Sequence, residues 1–326
     1  MYKDIKVLDV HGHMTTPDSY GRHSATLVAL NSPWPYKLED AALEGALQRH
    51  LKVMDDRAID VQCLGPRPIN MFHWMRPHLQ DAWCRTTNDV IAQTVRLHPD
   101  RFLGMAQLPQ VAELDTNNCV AELERCMKDL GFVGAYLNPD PDGRKTAPGV
   151  HDRYWYPLYE KAQELGAVLM VHPSTCFDRR LEALPHNYQI NNVTEEYIAT
   201  QLYSRTDVFA RFPGLKVIIC HAGGSLDRWV RADHHMAVSD LSNNLFFDLC
   251  VYEDWFLKTA IKQRGIDQVL FGTEAPGSGG SPRPDTGRPS DDLVPVIDSI
   301  DFLTHEDKVK IFNANPKRVF PRLATL

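Results

Sequence analysis

The chain has 326 residues, 43% of them hydrophobic, enough for one large core, and a single (β/α)₈ barrel of about 250 residues plus insertions is the commonest one-domain solution at that size. Its 35 basic and 42 acidic residues give a formal charge of −7 and a pI near 6.0 without any basic block, which argues against nucleic acid or an anionic membrane as the main partner. The opening MYKDIKVLDVHGH is too short an apolar run for a signal peptide or membrane span, and seven cysteines without a CxxC pair read as reduced thiols, so a cytoplasmic protein is expected.

Short β-branched runs alternate with longer amphipathic stretches, the pattern of a parallel sheet covered by helices. A strand over residues 5–11 is followed by an insertion, 14–36, and a helix over 38–57. Strand 60–65 leads to helix 79–97, strand 102–108 to helix 113–130, and strand 133–138 to helix 155–165. Strand 167–172 is followed by a second insertion, 173–193, and helix 195–212. Strands 216–221 and 245–250, helix 254–263 and strand 268–274 complete the repeat; a Gly/Pro-rich insertion, 275–290, and two more helices follow. Eight such units predict a closed TIM barrel as one domain over 1–326, with the three insertions crowding its C-terminal mouth, where barrels carry function.

The strand ends carry the chemistry. Residues i and i+2 of a strand face the same way, so Asp9-Val10-His11-Gly12-His13 aims two imidazoles into the mouth. His172 closes strand five, His221 closes strand six, and Leu-Phe-Gly-Thr-Glu274 closes strand eight. Three imidazoles and a carboxylate with open positions suit one Zn²⁺ per chain, with Mn²⁺ or iron as alternatives. Strand four ends Gly134-Ala135-Tyr136-Leu137-Asn138, without a lysine that could be carboxylated to bridge a second ion.

The strings DVHGH, MVHPS, ICHAGG and LFGTEAPG, in this order, resemble the amidohydrolase superfamily in its decarboxylase-containing branch, over nearly the whole chain. The resemblance implies His11, His13 and His172 as ligands, Glu274 as a further ligand or a base, and His221 as catalytic. Decarboxylases of that branch usually have Asp where Glu274 stands. LERCMKDLGFVGAYLNPDP, DRYWYPLYEK, FGTEAPG followed by PDTGR, and IFNANPKRVFPRL are similar to a narrower group, the 4-oxalomesaconate hydratases and amidohydrolase-type meta-cleavage-product hydrolases of bacterial aromatic breakdown.

A bound dication would activate water, and His221, one donor too many for a four-ligand shell, is the expected proton carrier. The substrate expected is a small unsaturated oxo-acid carboxylate from aromatic ring cleavage, clamped by Arg67 and lined by His73, Trp74, Tyr188, Asn191, Asn192 and Tyr252. C–C bond hydrolysis is the first expectation; hydration of a 4-oxalomesaconate-like acid and nonoxidative decarboxylation are the alternatives. A noncatalytic metal-binding protein would leave His221 without a purpose. Arg228 and Arg231 read as a solvated helix face after Gly223-Gly224, and His50, His98, His234 and His235 as helix residues. Thr304 before His305 reads as an N-cap, and 277–280 as a mobile loop. The apolar C-terminal tail suggests a homo-oligomer.

Overall fold

Parallel strands covered by helices are buried on both faces, which their near-continuous apolar runs permit. The computed structural model describes residues 1–229, 241 and 243–325. Its strands are β1 Leu8–His13, β2 Val61–Gly65, β3 Phe102–Ala106, β4 Gly134–Leu137, β5 Val168–Val171, β6 Lys216–Ile219, β7 Leu245–Asp248 and β8 Val269–Leu270, paired in chain order and all parallel. Two backbone hydrogen bonds close the ring onto β1: Val10 N–H to the Phe271 carbonyl (2.9 Å) and Glu274 N–H to the His11 carbonyl (2.8 Å).

The first helices are α1 Asp18–Leu30, α2 Asp40–Asp56, α3 Pro77–Leu97, α4 Asn117–Lys128 and α5 Tyr156–Leu165. They are followed by α6 Asn187–Arg205, α7 Val208–Arg211 and α8 Asp254–Arg264, then by α9 Leu293–Asp298, α10 His305–Val309 and α11 Asn315–Val319. The first insertion therefore contains a helix, and three short helices rather than two follow β8. Thr304 caps α10 in a capping box with Asp307, as expected. The largest correction is α6, which starts eight residues before the expected 195. Its first turns bury Asn191, Asn192, Glu195 and Glu196, so no apolar stripe marks them.

Inside the barrel, Leu8, Val10, Val61, Leu103, Met105, Tyr136, Met170, Ile218 and Phe246 pack with Val319, Phe320 and Leu323 of the C-terminal segment. Lys216, at the start of β6, donates to the Arg318 carbonyl, so this segment seals the N-terminal end of the barrel. Val319, Phe320 and Leu323 of this tail are thus packed within their own chain. All seven cysteines are free thiols. Among the described residues no helix is long and apolar enough to cross a membrane.

Three strands end before their functional residue. His172, His221 and Glu274 lie one, two and four positions past β5, β6 and β8. His221 (φ 50°) and Glu274 (φ 57°) are left-handed, a conformation costing a non-glycine residue about 1–2 kcal/mol. The chain leaves the ladder there and turns the side chains over the mouth.

Candidate active site and metal centre

His11 and His13 share a face of β1, as strand alternation requires, and Gly12 between them is fixed by packing: a Cβ would lie 2.1 Å from the buried Gln62 side chain. Gln62 donates to Asp9 (2.8 Å) and to the Ala275 carbonyl (2.9 Å). Asp9 also accepts from the Thr273 hydroxyl (2.6 Å) and backbone (3.2 Å), tying β1 to the segment that carries Glu274. Burial pushes the Asp9 carboxyl up to about 6.

One Nδ1–H of each histidine is committed away from the mouth. His11 donates to Asp248 Oδ2 (2.8 Å), His13 to the Pro66 carbonyl (2.9 Å) and His172 to the Pro173 carbonyl (2.6 Å). Carboxylate and carbonyl oxygens only accept, so the Nε2 atoms carry the lone pairs. These converge: His11 Nε2 and His13 Nε2 are 3.3 Å apart, and Glu274 Oε1 is 3.0 Å from His13, 3.4 Å from His172 and 3.7 Å from His11. One donor atom from each of these four residues lies within 4.8 Å of the others. Three lone pairs and a carboxylate oxygen held this close suit a dication, and the donor set fits a single such ion. Asn138, rather than a lysine, follows β4, with its amide on His73 and Ser174.

Glu274 is held at both oxygens. Oε2 accepts from Ser278 Oγ (2.9 Å) and Tyr252 Oη (3.2 Å), leaving Oε1 for the cluster. Burial raises its pKa, but the imidazoles of His13, His172 and His221 gathered at Oε1 overcome this and keep the carboxyl well below the usual range. The stretch read as a mobile loop is instead a short 3₁₀ turn, Ser278–Gly280, that clamps this carboxylate.

His221 differs from the other three. Its side chain is 19% exposed against 0% for His11, 3% for His13 and 1% for His172, so it is the most exposed of the four imidazoles. Its Nδ1 meets both oxygens of Glu196 on α6 at 2.9 Å, and its Nε2 is 3.5 Å from Glu274 Oε1. Burial opposes the imidazolium, yet the Glu196 carboxylate keeps the pKa well above the ordinary imidazole value. Gly224 lets α6 come this close: a Cβ there would sit 2.1 Å from the Val193 carbonyl.

A cavity of about 660 Å³ opens over this cluster. Arg67, Tyr188, Asn192 and Tyr252 line it together with His13, His172, His221 and Glu274. Ile69, Val193, Val251 and Phe256 supply apolar wall. Asn192 Oδ1 is buried with no hydrogen-bond partner among the described residues. Asn191 is committed elsewhere, to Lys145 and the Thr175 carbonyl. His73 is outside the cavity lining: it is buried, with Nε2 on the Leu108 carbonyl (3.0 Å) and Nδ1 on Asn138 (3.1 Å), so both nitrogens are spent on the scaffold. Arg228 is exposed over the Trp229 ring, and no helix starts at Gly223-Gly224, where a 3₁₀ turn runs instead. Arg231, His234 and His235 lie outside the described residues.

Sequence reasoning missed Asp248, Glu196 and Ser278. Asp248 ends β7 and was findable as a strand-end carboxylate; Glu196 sits in a helix without an apolar stripe, and nothing local distinguishes it.

An eight-stranded barrel with histidines and a carboxylate gathered at its C-terminal mouth is the architecture of a hydrolytic or lytic enzyme rather than of a binding module. The chain belongs to the amidohydrolase family, whose model matches residues 8–322. It is 33% identical over 98% of its length to 2-keto-4-carboxy-3-hexenedioate hydratase of Sphingobium sp., covering 97% of that protein. The crystal structure of 4-oxalomesaconate hydratase from Rhodopseudomonas palustris superposes with a TM-score of 0.84 at 31% identity, covering 98% of this chain and 97% of that one. A dihydroxybenzoic acid decarboxylase from Polaromonas sp., solved with bound manganese and 2-nitroresorcinol, shares the fold at TM-score 0.67 and 20% identity, covering 97% of each chain. The two relatives just described that exceed 30% identity over nearly the whole chain are hydratases, so hydration takes precedence over the C–C hydrolysis expected first.

Proposed function

We propose that this chain is a metal-dependent hydratase that adds water across the C=C bond of an unsaturated, carboxylated oxo-acid derived from aromatic ring cleavage, a substrate like those named for its hydratase relatives. The observation that carries this reading beyond the family is Arg67. Its guanidinium lines the same cavity as the His/Glu cluster, and among the described residues its one hydrogen bond is to the Pro276 carbonyl at 3.3 Å. Burial lowers its pKa while Glu274 opposes that shift. A half-buried guanidinium without a carboxylate partner invites a carboxylate from the substrate.

His11, His13, His172 and Glu274 would hold the ion, Zn²⁺ by our reading, with Mn²⁺ as the alternative. When bound it supplies Lewis-acid polarisation of a substrate oxygen and a water acidic enough to ionise near pH 7. Arg67 binds a carboxylate and fixes the carbon skeleton against Phe256 and Val193. Hydration of a C=C bond conjugated to a carbonyl puts OH on the β-carbon and a proton on the α-carbon, so one group must take a proton from water and return one to carbon. His221, backed by Glu196, has the geometry for that transfer. Glu274, pinned at Oε2 by Tyr252 and Ser278, serves as a one-oxygen ligand. Seven free thiols go with a cytoplasmic setting.

The test is product mass from the metal-loaded protein with a panel of unsaturated oxo-tricarboxylates and meta-cleavage acids. Gain of one water with the carbon count unchanged is the expected outcome; two fragments would restore C–C hydrolysis, and loss of CO₂ would make the chain a decarboxylase. Replacing Arg67 with Met should raise KM about 10- to 100-fold with a smaller change in kcat, since a charged hydrogen bond is worth about 1.5–3 kcal/mol. Unchanged steady-state constants would take Arg67 out of the substrate site.

A further inference from the structure

Two residues at the mouth stand ready as ligands without belonging to the four-donor set. One donor atom from each of His11, His221 and Cys250 lies within 4.8 Å of the others. Cys250, two positions past β7, is 3% exposed and borders the cavity. Its Sγ has a hydroxyl contact with Tyr252 at 3.5 Å. Both imidazoles are prepared in the same manner. Asp248 takes the Nδ1–H of His11 at 2.8 Å and Glu196 that of His221 at 2.9 Å, so the free donor of each ring is Nε2, oriented as in a carboxylate–histidine–metal arrangement. Asp248 also accepts the backbone N–H of His221 (2.9 Å) and of Cys250 (3.0 Å), so one buried carboxylate positions all three residues.

We propose that His11, His221 and Cys250 form a second, softer donor set that captures thiophilic dications and excludes the resident ion, because both sets need the single Nε2 lone pair of His11. This rests on the metal reading of His11, His13, His172 and Glu274 given above. Oxygen and imidazole donors suit Zn²⁺ or Mn²⁺, whereas a thiolate favours soft cations. Uptake forms an S–metal bond as the Cys250 proton and the proton on His221 Nε2 leave to solvent, and it also occupies the Nε2 that His221 needs for proton transfer. A soft cation is therefore an inhibitor by displacement of the ion and by capture of His221. The remaining six cysteines join no such set among the described residues, apart from Cys220 with His11 and Asp248.

Cd²⁺ titration of the metal-loaded full chain tests this, read by the ultraviolet sulfur-to-cadmium charge-transfer band, by elemental analysis of protein and filtrate, and separately by turnover. The parent should gain one Cd²⁺, release one resident ion, develop the band and lose activity together. Cys250→Ser and Cys250→Ala, checked for fold by circular dichroism, should show no band and require about tenfold or more Cd²⁺ to release the same ion, because only the harder donors remain. A band that persists in both variants, or release at the same Cd²⁺ concentration in all three proteins, overturns the assignment of Cys250. Cd²⁺ bound with the resident ion retained overturns the mutual exclusion. A parent that purifies without any ion defeats the earlier metal reading instead, and the Cys250-dependent band still decides the soft set.

Discussion

A His11→Ala, His13→Ala variant is expected to purify without stoichiometric metal and without measurable turnover, against about one ion per chain in the parent. Two of the four donors disappear, and His172 with Glu274 cannot enclose a dication. The same arrangement predicts a graded intermediate. Asp248→Asn leaves all four ligands but weakens the acceptor that fixes His11, and outer partners of this kind typically contribute about 10- to 100-fold in metal affinity. Elemental analysis after dialysis against a chelator, with circular dichroism to confirm folding, measures both. Full metal retention in the double variant would refute the centre as described, and two ions per chain in the parent would refute its mononuclear character.

His221→Asn should separate chemistry from metal binding. The variant is expected to keep its ion, because His221 is not among the four donors that hold it, while kcat falls about 10²-fold or more, the usual scale of a general acid–base group. Glu196→Gln should produce a smaller loss. It should also move the His221-dependent limb of the pH–rate profile to lower pH, since burial already opposes the imidazolium and the carboxylate that favours it is gone. Loss of metal in His221→Asn would make His221 a ligand. Full activity with metal retained would make it structural and return the proton transfer to Glu274.

Much of this site is written locally in the chain. Strand alternation places His11 and His13 on one face, and runs such as Val-Leu-Met-Val before His172 and Val-Ile-Ile-Cys before His221 announce buried strands that end in a polar group. The order of these runs gives the barrel, and the barrel gives the common mouth. The helices over 38–57 and 254–263 were legible for the same reason, since an apolar face with a period of 3.6 residues survives any tertiary context. The first turns of α6 were not, because they bury amides and carboxylates whose partners lie elsewhere.

What the sequence could not settle is who meets whom. His73 looked like Tyr188 or Asn192, a polar residue beyond a strand end, and only packing shows its two nitrogens taken by Leu108 and Asn138 while the others border the cavity. Asp248 reaches His11 across 237 residues and Glu196 reaches His221 across 25, contacts made when the ring closes and α6 settles against the turn at Gly224. Periodicity fixes the direction a side chain leaves its own backbone. The acceptor waiting there, which decides whether an imidazole binds metal, moves a proton or holds up a loop, is set by elements far away in the chain and becomes defined only when the barrel is complete.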